Sequence, residues 1–325
     1  KDQLFYSRRQ SNYWTSQALT DGSKNEGYVN SLAADQSGNL HLSSYSYEEQ
    51  RIYYGIKRGT AAWSLRSIYT APRGKDQKGT TNVVPPISLA IDLNGNPCIV
   101  FLDLVGNRLM YLSPRSQVTG DWLARVVALG VGMEGNSFPM VVGADGQPVI
   151  AFYNSSGTDK QPAGLQVARF SGSEWKTETV DPEPSSNRPV GLFPSLAKGN
   201  QGQFYLAYFD SYQTALKLIV YDGKNWQRPM IVDPRGGQYT SMTVDKDGLI
   251  HIAYYDQSTQ TLKYAAGNTS GFNQPIVLQS DVPLLDANQK ETKYINMALD
   301  PNGSPWISFF DPTSMILKIF RPGVP

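Results

Sequence analysis

An eight-residue phrase returns six times along the chain: a small or polar residue, an apolar triplet, Asp or Gly, two turn-forming residues and Gly. It reads SLAADQSG (31–38), SLAIDLNG (88–95), PMVVGADG (139–146), SLAKGNQG (195–202), SMTVDKDG (241–248) and NMALDPNG (296–303). From Gly38 to Gly303 the five intervals average 53 residues. A period of that size belongs to repeat architectures, whose units bury their apolar surface only against a neighbour. Each Gly leads into an apolar run such as LIHIAYYD (249–256). A polar loop follows, then a strand of the L-K-Y-A kind at 262–265 or 216–219. Trp63, Trp122, Trp175, Trp226 or Phe272 then opens a fourth strand. Four short strands joined by turns make the blade of a β-propeller.

The expected fold class is therefore all-β: a β-propeller of six four-stranded blades, with seven as the alternative, in one domain over residues 1–325. The ends fit that reading. Leu4–Arg9 followed by Trp14 has the pattern of third and fourth strands, while Tyr294–Leu299, Trp306–Phe310 and Ile316–Phe320 supply first, second and third. N- and C-terminal strands sharing a blade would close the ring.

Composition narrows the function classes. The 325 residues carry 29 Lys+Arg against 28 Asp+Glu, a formal charge of +1, which argues against a broad basic surface for nucleic acid. Cys98 is the single cysteine, so an intrachain disulfide framework and a cysteine-based zinc cluster are excluded. No apolar run reaches the length of a membrane span. The chain starts at Lys1 and reads as processed or trimmed. With little charge and almost no cysteine, it is expected to be secreted, periplasmic or on the outer cell surface.

In Asp-x-x-Gly the carboxylate can accept backbone N–H groups while Gly takes positive φ. Asp35, Asp92, Asp245 and Asp300 fill the first position, and Gly143 and Gly199 replace it in the third and fourth repeats. That replacement favours a turn over a calcium loop, which would also need a Glu at its twelfth position. No metal or cofactor is expected. In the following strand Ile250, Ile252 and Tyr254 alternate with His251, Ala253 and Tyr255, so both sheet faces should be covered.

SMTVDKDGLIHIAYYDQSTQTLKYA (241–265) resembles the repeats of secreted bacterial propellers of the sialidase-like and bacterial-neuraminidase-repeat kind, and is similar to the NHL repeat with its A-V-D-x-x-G-N-I run. The resemblance spans almost the whole chain and implies the propeller fold. The sialidase Asp-box S-x-D-x-G-x-T-W and the Arg-Ile-Pro signature are absent, so it does not imply sialidase catalysis.

In such a fold the loops entering first strands and leaving second strands share one end, and irregular loops on a rigid scaffold carry function. The entering loops cover 72–82, 130–136, 181–190, 234–238 and 280–293. Asp103, Asn154, Asp210, Asp256 and Asp311 begin the leaving loops, and Tyr28, Phe138, Phe193, Tyr239 and Tyr294 precede first strands. Arg73, Arg188 and Arg235 lie in entering loops. Aromatic faces with Asp and Asn suit sugar rings, whose C–H faces stack and whose hydroxyls hydrogen-bond, and in an enzyme Arg73, Arg188 or Arg235 would serve as an anion clamp. Loop capping by the Asp residues and burial of the aromatics between blades is the competing assignment. The candidate ligand-binding residues are Asp103, Asn154, Asp210, Asp256, Asp311, Tyr239, Tyr294, Arg73, Arg188 and Arg235, with no catalytic residue assigned.

His41 and His251 share a second-strand position with Cys98, Val149, Tyr205 and Trp306 and read as packed strand residues. A carboxylate pair for glycoside cleavage could come from Asp103, Asp210, Asp256, Asp311, Glu134 or Glu183, but their spacing in sequence fixes no separation. The expected function is a binding or interaction module holding a glycan or protein ligand at the loop-rich end. The alternatives are a glycan-processing enzyme, a sialidase-like hydrolase or a lyase, and a structural subunit of a cell-surface assembly.

Overall fold

The computed structural model describes residues 3–23, 27, 29–46, 48–71, 86–115, 120–135, 137–158, 161–184, 188–283, 295–311, 313–314 and 316–322. All regular elements in these residues are antiparallel strands, and the fold is that of a six-bladed β-propeller. Each repeat supplies the first two strands of one sheet. Blade 1 is Val29–Ala34, Leu40–Ser46, Arg51–Lys57 and Ser64–Thr70; blade 2 is Ile87–Ile91, Pro97–Asp103, Arg108–Pro114 and Trp122–Leu129. Blade 3 is Met140–Val142, Pro148–Asn154, Gly164–Phe170 and Trp175–Pro182; blade 4 is Val190–Lys198, Phe204–Asp210, Ala215–Tyr221 and Met230–Asp233. Blade 5 is Gln238–Val244, Ile250–Asp256, Thr261–Asn268 and a split fourth strand, Gly271–Phe272 with Ile276–Gln279. Blade 6 is Ile295–Leu299, Pro305–Asp311 and Ile316–Phe320. The terminal pieces expected to share a blade are this three-stranded sheet and the hairpin Phe5–Gln10/Tyr13–Ala18, each paired within itself.

The residues cluster into two compact units, Lys1–Met133 with Asp145–Pro148 and Ala168–Lys176, and Glu134–Ala144 with Val149–Val167 and Thr177–Pro325. In the first, the third-strand tyrosine of one sheet packs on the Trp that opens the fourth strand of the next. Tyr6 meets Trp63 at 5.4 Å, Tyr54 meets Trp122 at 5.4 Å and Tyr111 meets Trp175 at 5.2 Å. That recurring aromatic pair explains why Trp recurs in the repeat.

In the second unit the alternation of the blade 5 second strand divides it between two cores. Ile250, Ile252 and Tyr254 pack with Ala207, Leu216 and Leu218 of blade 4, whereas Ala253 and Tyr255 pack with Ile295, Ile307 and Phe309 of blade 6. Ile250, Ile252 and Tyr254 are fully buried, and burying such a side chain contributes about 1.5–3 kcal/mol. Blade 6 departs from the expected double burial. Along Pro305–Asp311 buried residues alternate with half-buried ones, so only one face is tightly packed.

Two local features have sequence causes. The serine that opens most repeats ties neighbouring first strands together: Ser31 Oγ accepts Leu89 N at 3.1 Å, Ser195 Oγ accepts Met242 N at 2.9 Å, and Ser241 Oγ accepts Met297 N at 2.9 Å. The fourth strand does not run unbroken from Trp226 or Phe272. Pro229 and Pro275 lack the N–H a ladder needs, so Trp226 makes an isolated bridge to Tyr221 and regular pairing resumes at Met230 and Ile276.

The Asp-x-x-Gly turns form as expected. Asp35 Oδ1 accepts Ser37 N and Asn39 N at 2.9 Å each, and Gly38 takes φ 77°. Asp245 repeats this with Asp247 N at 2.9 Å and Leu249 N at 2.8 Å. The Asn39 side chain, with the Asn39 N–H, His41 and the Ser37 N–H, outweighs burial and holds the Asp35 carboxyl down at about 2. Where Gly199 replaces the Asp, Gln203 Oε1 accepts Gln201 N at 3.0 Å instead.

Candidate functional site

The residues at the ends of second strands are buried, and both oxygens of each carboxylate have partners in the chain. Asp103, Asn154, Asp210, Asp256 and Asp311 are only 1–6% exposed. One oxygen caps the leaving loop: Asp210 Oδ1 accepts Tyr212 N at 2.8 Å and Gln213 N at 3.0 Å, and Asp256 Oδ1 accepts Ser258 N at 3.0 Å. The other oxygen meets a third-strand cation. Lys217 Nζ lies 2.5 Å from Asp210 Oδ2, Lys263 Nζ 2.7 Å from Asp256 Oδ2 and Lys318 Nζ 2.7 Å from Asp311 Oδ2. Asp103 Oδ2 takes Arg108 at 2.5 Å, and in blade 3 a neutral version pairs Asn154 Nδ2 with Gln166 Oε1 at 3.3 Å.

The lysines also reach the preceding blade. Lys263 Nζ is 3.1 Å from Asp233 Oδ2, which accepts Tyr254 Oη at 2.5 Å. Lys217 Nζ is 3.7 Å from Asp181 Oδ2, which accepts Tyr208 Oη at 2.5 Å. Lys318 Nζ instead donates to Gln279 Oε1 at 3.3 Å. Burial would raise the Asp256 carboxyl, but Lys263 and the Ser258 and Thr259 donors outweigh it and hold it at about 2. For Asp181 burial wins over Tyr208 and Lys217, and its pKa is raised.

A raised carboxyl beside a second one is the pattern of an acid–base pair. Blade 5 nevertheless repeats the same Tyr–Asp–Lys–Asp arrangement, and a reaction needs it once. Tyr208 and Tyr254 are both fully buried. The arrangement is a repeated inter-blade clamp.

His41 is sandwiched between Tyr54 Oη, 2.7 Å from Nδ1, and Asp35 Oδ2, 3.2 Å from Nε2. His251 meets Tyr264 Oη at 2.6 Å, and burial lowers its pKa. At the same repeat position Cys98 Sγ accepts Tyr111 Oη at 3.0 Å, and burial pushes its thiol up to about 11. These are packed strand residues, as expected.

Of the aromatics before first strands, Phe138 is fully buried, and Phe193 and Tyr239 are half-buried with ring centroids 4.3 Å apart. All three adopt φ near +50°: Phe138 49°, Phe193 52° and Tyr239 54°. Bulky residues take that conformation only where surrounding structure enforces it. Here the first strands bulge, with register shifts between Leu192 and Ser195 and between Gln238 and Ser241. Tyr28, Arg73 and Tyr294, with the 72–82 loop and most of 280–293, lie outside the described residues.

Solvent-facing chemistry gathers instead around the loop leaving the blade 4 second strand. Pro189 O accepts Ser211 N at 3.0 Å and Ser211 Oγ at 2.8 Å, which binds the 188–190 segment to this loop. Gly236 N donates to Thr214 O at 3.2 Å, which binds the 234–238 segment to the loop's other end. Exposed Arg188 thereby lies over the ring of Tyr212, 5.0 Å from its centroid, and Tyr212 is 47% exposed. Arg235, also exposed, is carried by the segment anchored at Thr214. Neither guanidinium has a hydrogen bond or ion pair with a described residue. The sequence reading missed Tyr212, whose only signal was its place two residues after Asp210.

No protein-family model matches the chain, and no curated protein matches it in sequence. Solved structures do match by fold. A mutant of the Aleuria aurantia lectin in complex with alpha-methyl-L-fucoside aligns over 90% of each chain at 12% identity, with a TM-score of 0.55. An alpha-L-arabinofuranosidase from Fusarium graminearum in complex with an iminosugar inhibitor covers 99% of this chain and 98% of its own at 9% identity, TM-score 0.61. The NanB sialidase from Streptococcus pneumoniae aligns over 87% of this chain and 64% of its own at 11% identity, TM-score 0.54. At such identities the likeness defines a class by fold, the β-propellers.

Proposed function

We propose that the chain is a secreted or cell-surface bacterial propeller, one domain over 1–325, that binds a glycan at its loop-rich end without turning it over. The observation that carries the proposal is the exposed Arg188–Tyr212 pair, beside the segment anchored at Thr214 that carries exposed Arg235. Tyr212 holds the Arg188 guanidinium over its ring, and its N–H groups, unpaired with any described residue, can serve sugar oxygens as a donor fork. Exposed Arg235 supplies a second guanidinium from the neighbouring segment. The Asp and Asn side chains at second-strand ends support these loops from below. The sugar-bound lectin and glycosidase among the structural neighbours agree with a saccharide ligand. Nothing in the reading calls for a cofactor, a metal or nucleic acid.

The test is a glycan array probed with the full chain, followed by Tyr212→Ala and Arg188→Ala. Retention of a defined glycan, weakened about tenfold or more in each variant at unchanged melting temperature, is the expected result; charge-assisted hydrogen bonds are worth about 1.5–3 kcal/mol. An array with no retained glycan, alongside a protein partner recovered by crosslinking, would favour the assembly alternative. Release of a shortened sugar would favour the enzyme.

A further inference from the structure

A cation-bearing cleft lies within the first unit and shares no residue with the loop cluster. It has a volume of about 460 Å³ and is lined by Tyr6, Arg8, Gly38, Leu40, Lys57, Gly59 and Thr60. One wall is the hairpin strand Phe5–Gln10, on which Tyr6 and Arg8 share a face by the two-residue period of a strand. The other wall is the turn-bearing end of blade 1, with the Asp35–Gly38 turn and the Lys57–Thr60 turn. In an antiparallel blade this end is opposite to the loop that follows Ser46.

The chemistry of the walls is uneven. Arg8 is exposed, and its guanidinium has no partner among the described residues. Lys57 donates to Ala61 O at 2.6 Å, which fixes the ammonium and leaves two of its three donors. Asp35, in the turn that carries Gly38, is occupied by Ser37, Asn39 and His41, and neither Arg8 nor Lys57 has an ion pair with a described residue. Tyr6 is half-buried, with its ring held edge-on by Trp63 at 5.4 Å. Gly38 and Gly59 have positive φ, 77° and 52°, and a Cβ at either would meet no atom within 4 Å, so the backbone there is open to a ligand.

The geometry points to this cleft as a binding site for an acidic sugar residue. An aromatic face suits the C–H side of a pyranose, and Arg8 and Lys57 converge on one anionic substituent, carboxylate or sulfate. The volume accommodates one to two sugar rings, at the small end of ligand pockets. A chain binding a neutral or acidic glycan through its blade 4 loops would then hold a second, acidic residue at a separate point.

Three probes test it by isothermal titration into the full chain at low salt: methyl glucuronide, a sulfated methyl galactoside and neutral methyl glucoside. At least one acidic probe binds at least tenfold tighter than the neutral one, and which of the two it is identifies the anion. Arg8→Ala weakens that binding about tenfold or more, Arg8→Lys retains most of it, and Thr60→Trp, which fills the mouth, abolishes it; all three keep the wild-type melting temperature. Tyr212→Ala leaves it unchanged, which separates this site from the loop cluster. Equal affinity for acidic and neutral probes, or no binding of any, overturns the inference. So does acidic binding that survives Arg8→Ala in a Tyr212→Ala background, or that is lost altogether in Tyr212→Ala alone.

Discussion

Replacing Lys263 by Met should destabilise the protein strongly and leave ligand binding at the loop cluster intact. The Lys263 side chain is 13% exposed and holds Asp256 at 2.7 Å and Asp233 at 3.1 Å, carboxylates that are themselves 1% and 8% exposed. Methionine fills similar volume, so packing changes little, but two buried carboxylates lose their common cation. Removing one partner of a buried ion pair costs about 3–5 kcal/mol. At about 2 °C per kcal/mol in a chain of this size, the melting temperature should fall by about 6–10 °C. The assay is thermal and urea unfolding followed by circular dichroism. Adding Asp233→Asn removes one of the stranded charges, keeps the acceptor for Arg235 N seen at 3.0 Å, and should restore about 1–2 kcal/mol. A cost below about 1 kcal/mol would refute the reasoning, because that is the value of a solvent-screened surface pair.

The same clamp predicts a pH dependence. Asp256 titrates at about 2 in the fold and near 3.9 unfolded, so its contribution is complete above about pH 4 and is lost as pH falls towards 2; Asp256→Asn should flatten the melting-temperature profile in that window. Thr214 is exposed and β-branched at φ 55°, so Thr214→Gly should raise stability by about 0.5–1 kcal/mol in urea unfolding, through relief of left-handed strain. Ser241→Ala removes the acceptor of Met297 N and should cost about 1 kcal/mol; the same substitution at exposed Ser173 should cost nothing measurable.

The sequence made the scaffold legible because its physics is local and repeated. Asp-x-x-Gly fixes a turn by its own side-chain bonds, and the alternation in LIHIAYYD assigns residues to two cores before either is seen. The split fourth strands were missed, although Pro229 and Pro275 carried their signal. So were the clamps, although Asp210–Lys217, Asp256–Lys263 and Asp311–Lys318 share one spacing, which brings a third-strand residue seven positions on back across the loop. The loop cluster was only half legible. Arg188 and Arg235 stand out in variable loops, but the docking of their two segments onto the loop that carries Tyr212 depends on Pro189 bonding Ser211 and Gly236 bonding Thr214, contacts no local rule anticipates. The cleft at Tyr6 and Arg8 had no signal, since its walls come from a hairpin and two turns whose meeting is tertiary. The half-buried face of the blade 6 second strand was missed for the opposite reason, because its apolar pattern matches that of strands buried on both sides.

In the proposed function a glycan is held by the blade 4 loops and left chemically unchanged. The most direct measurement incubates the full chain with its best array glycan, quantifies bound sugar by calorimetry and analyses the recovered sugar by mass spectrometry. The prediction is saturable binding that is lost in Arg188→Ala with Tyr212→Ala, and sugar recovered at its original mass. Binding indifferent to both substitutions, or sugar recovered as cleaved product, would contradict it.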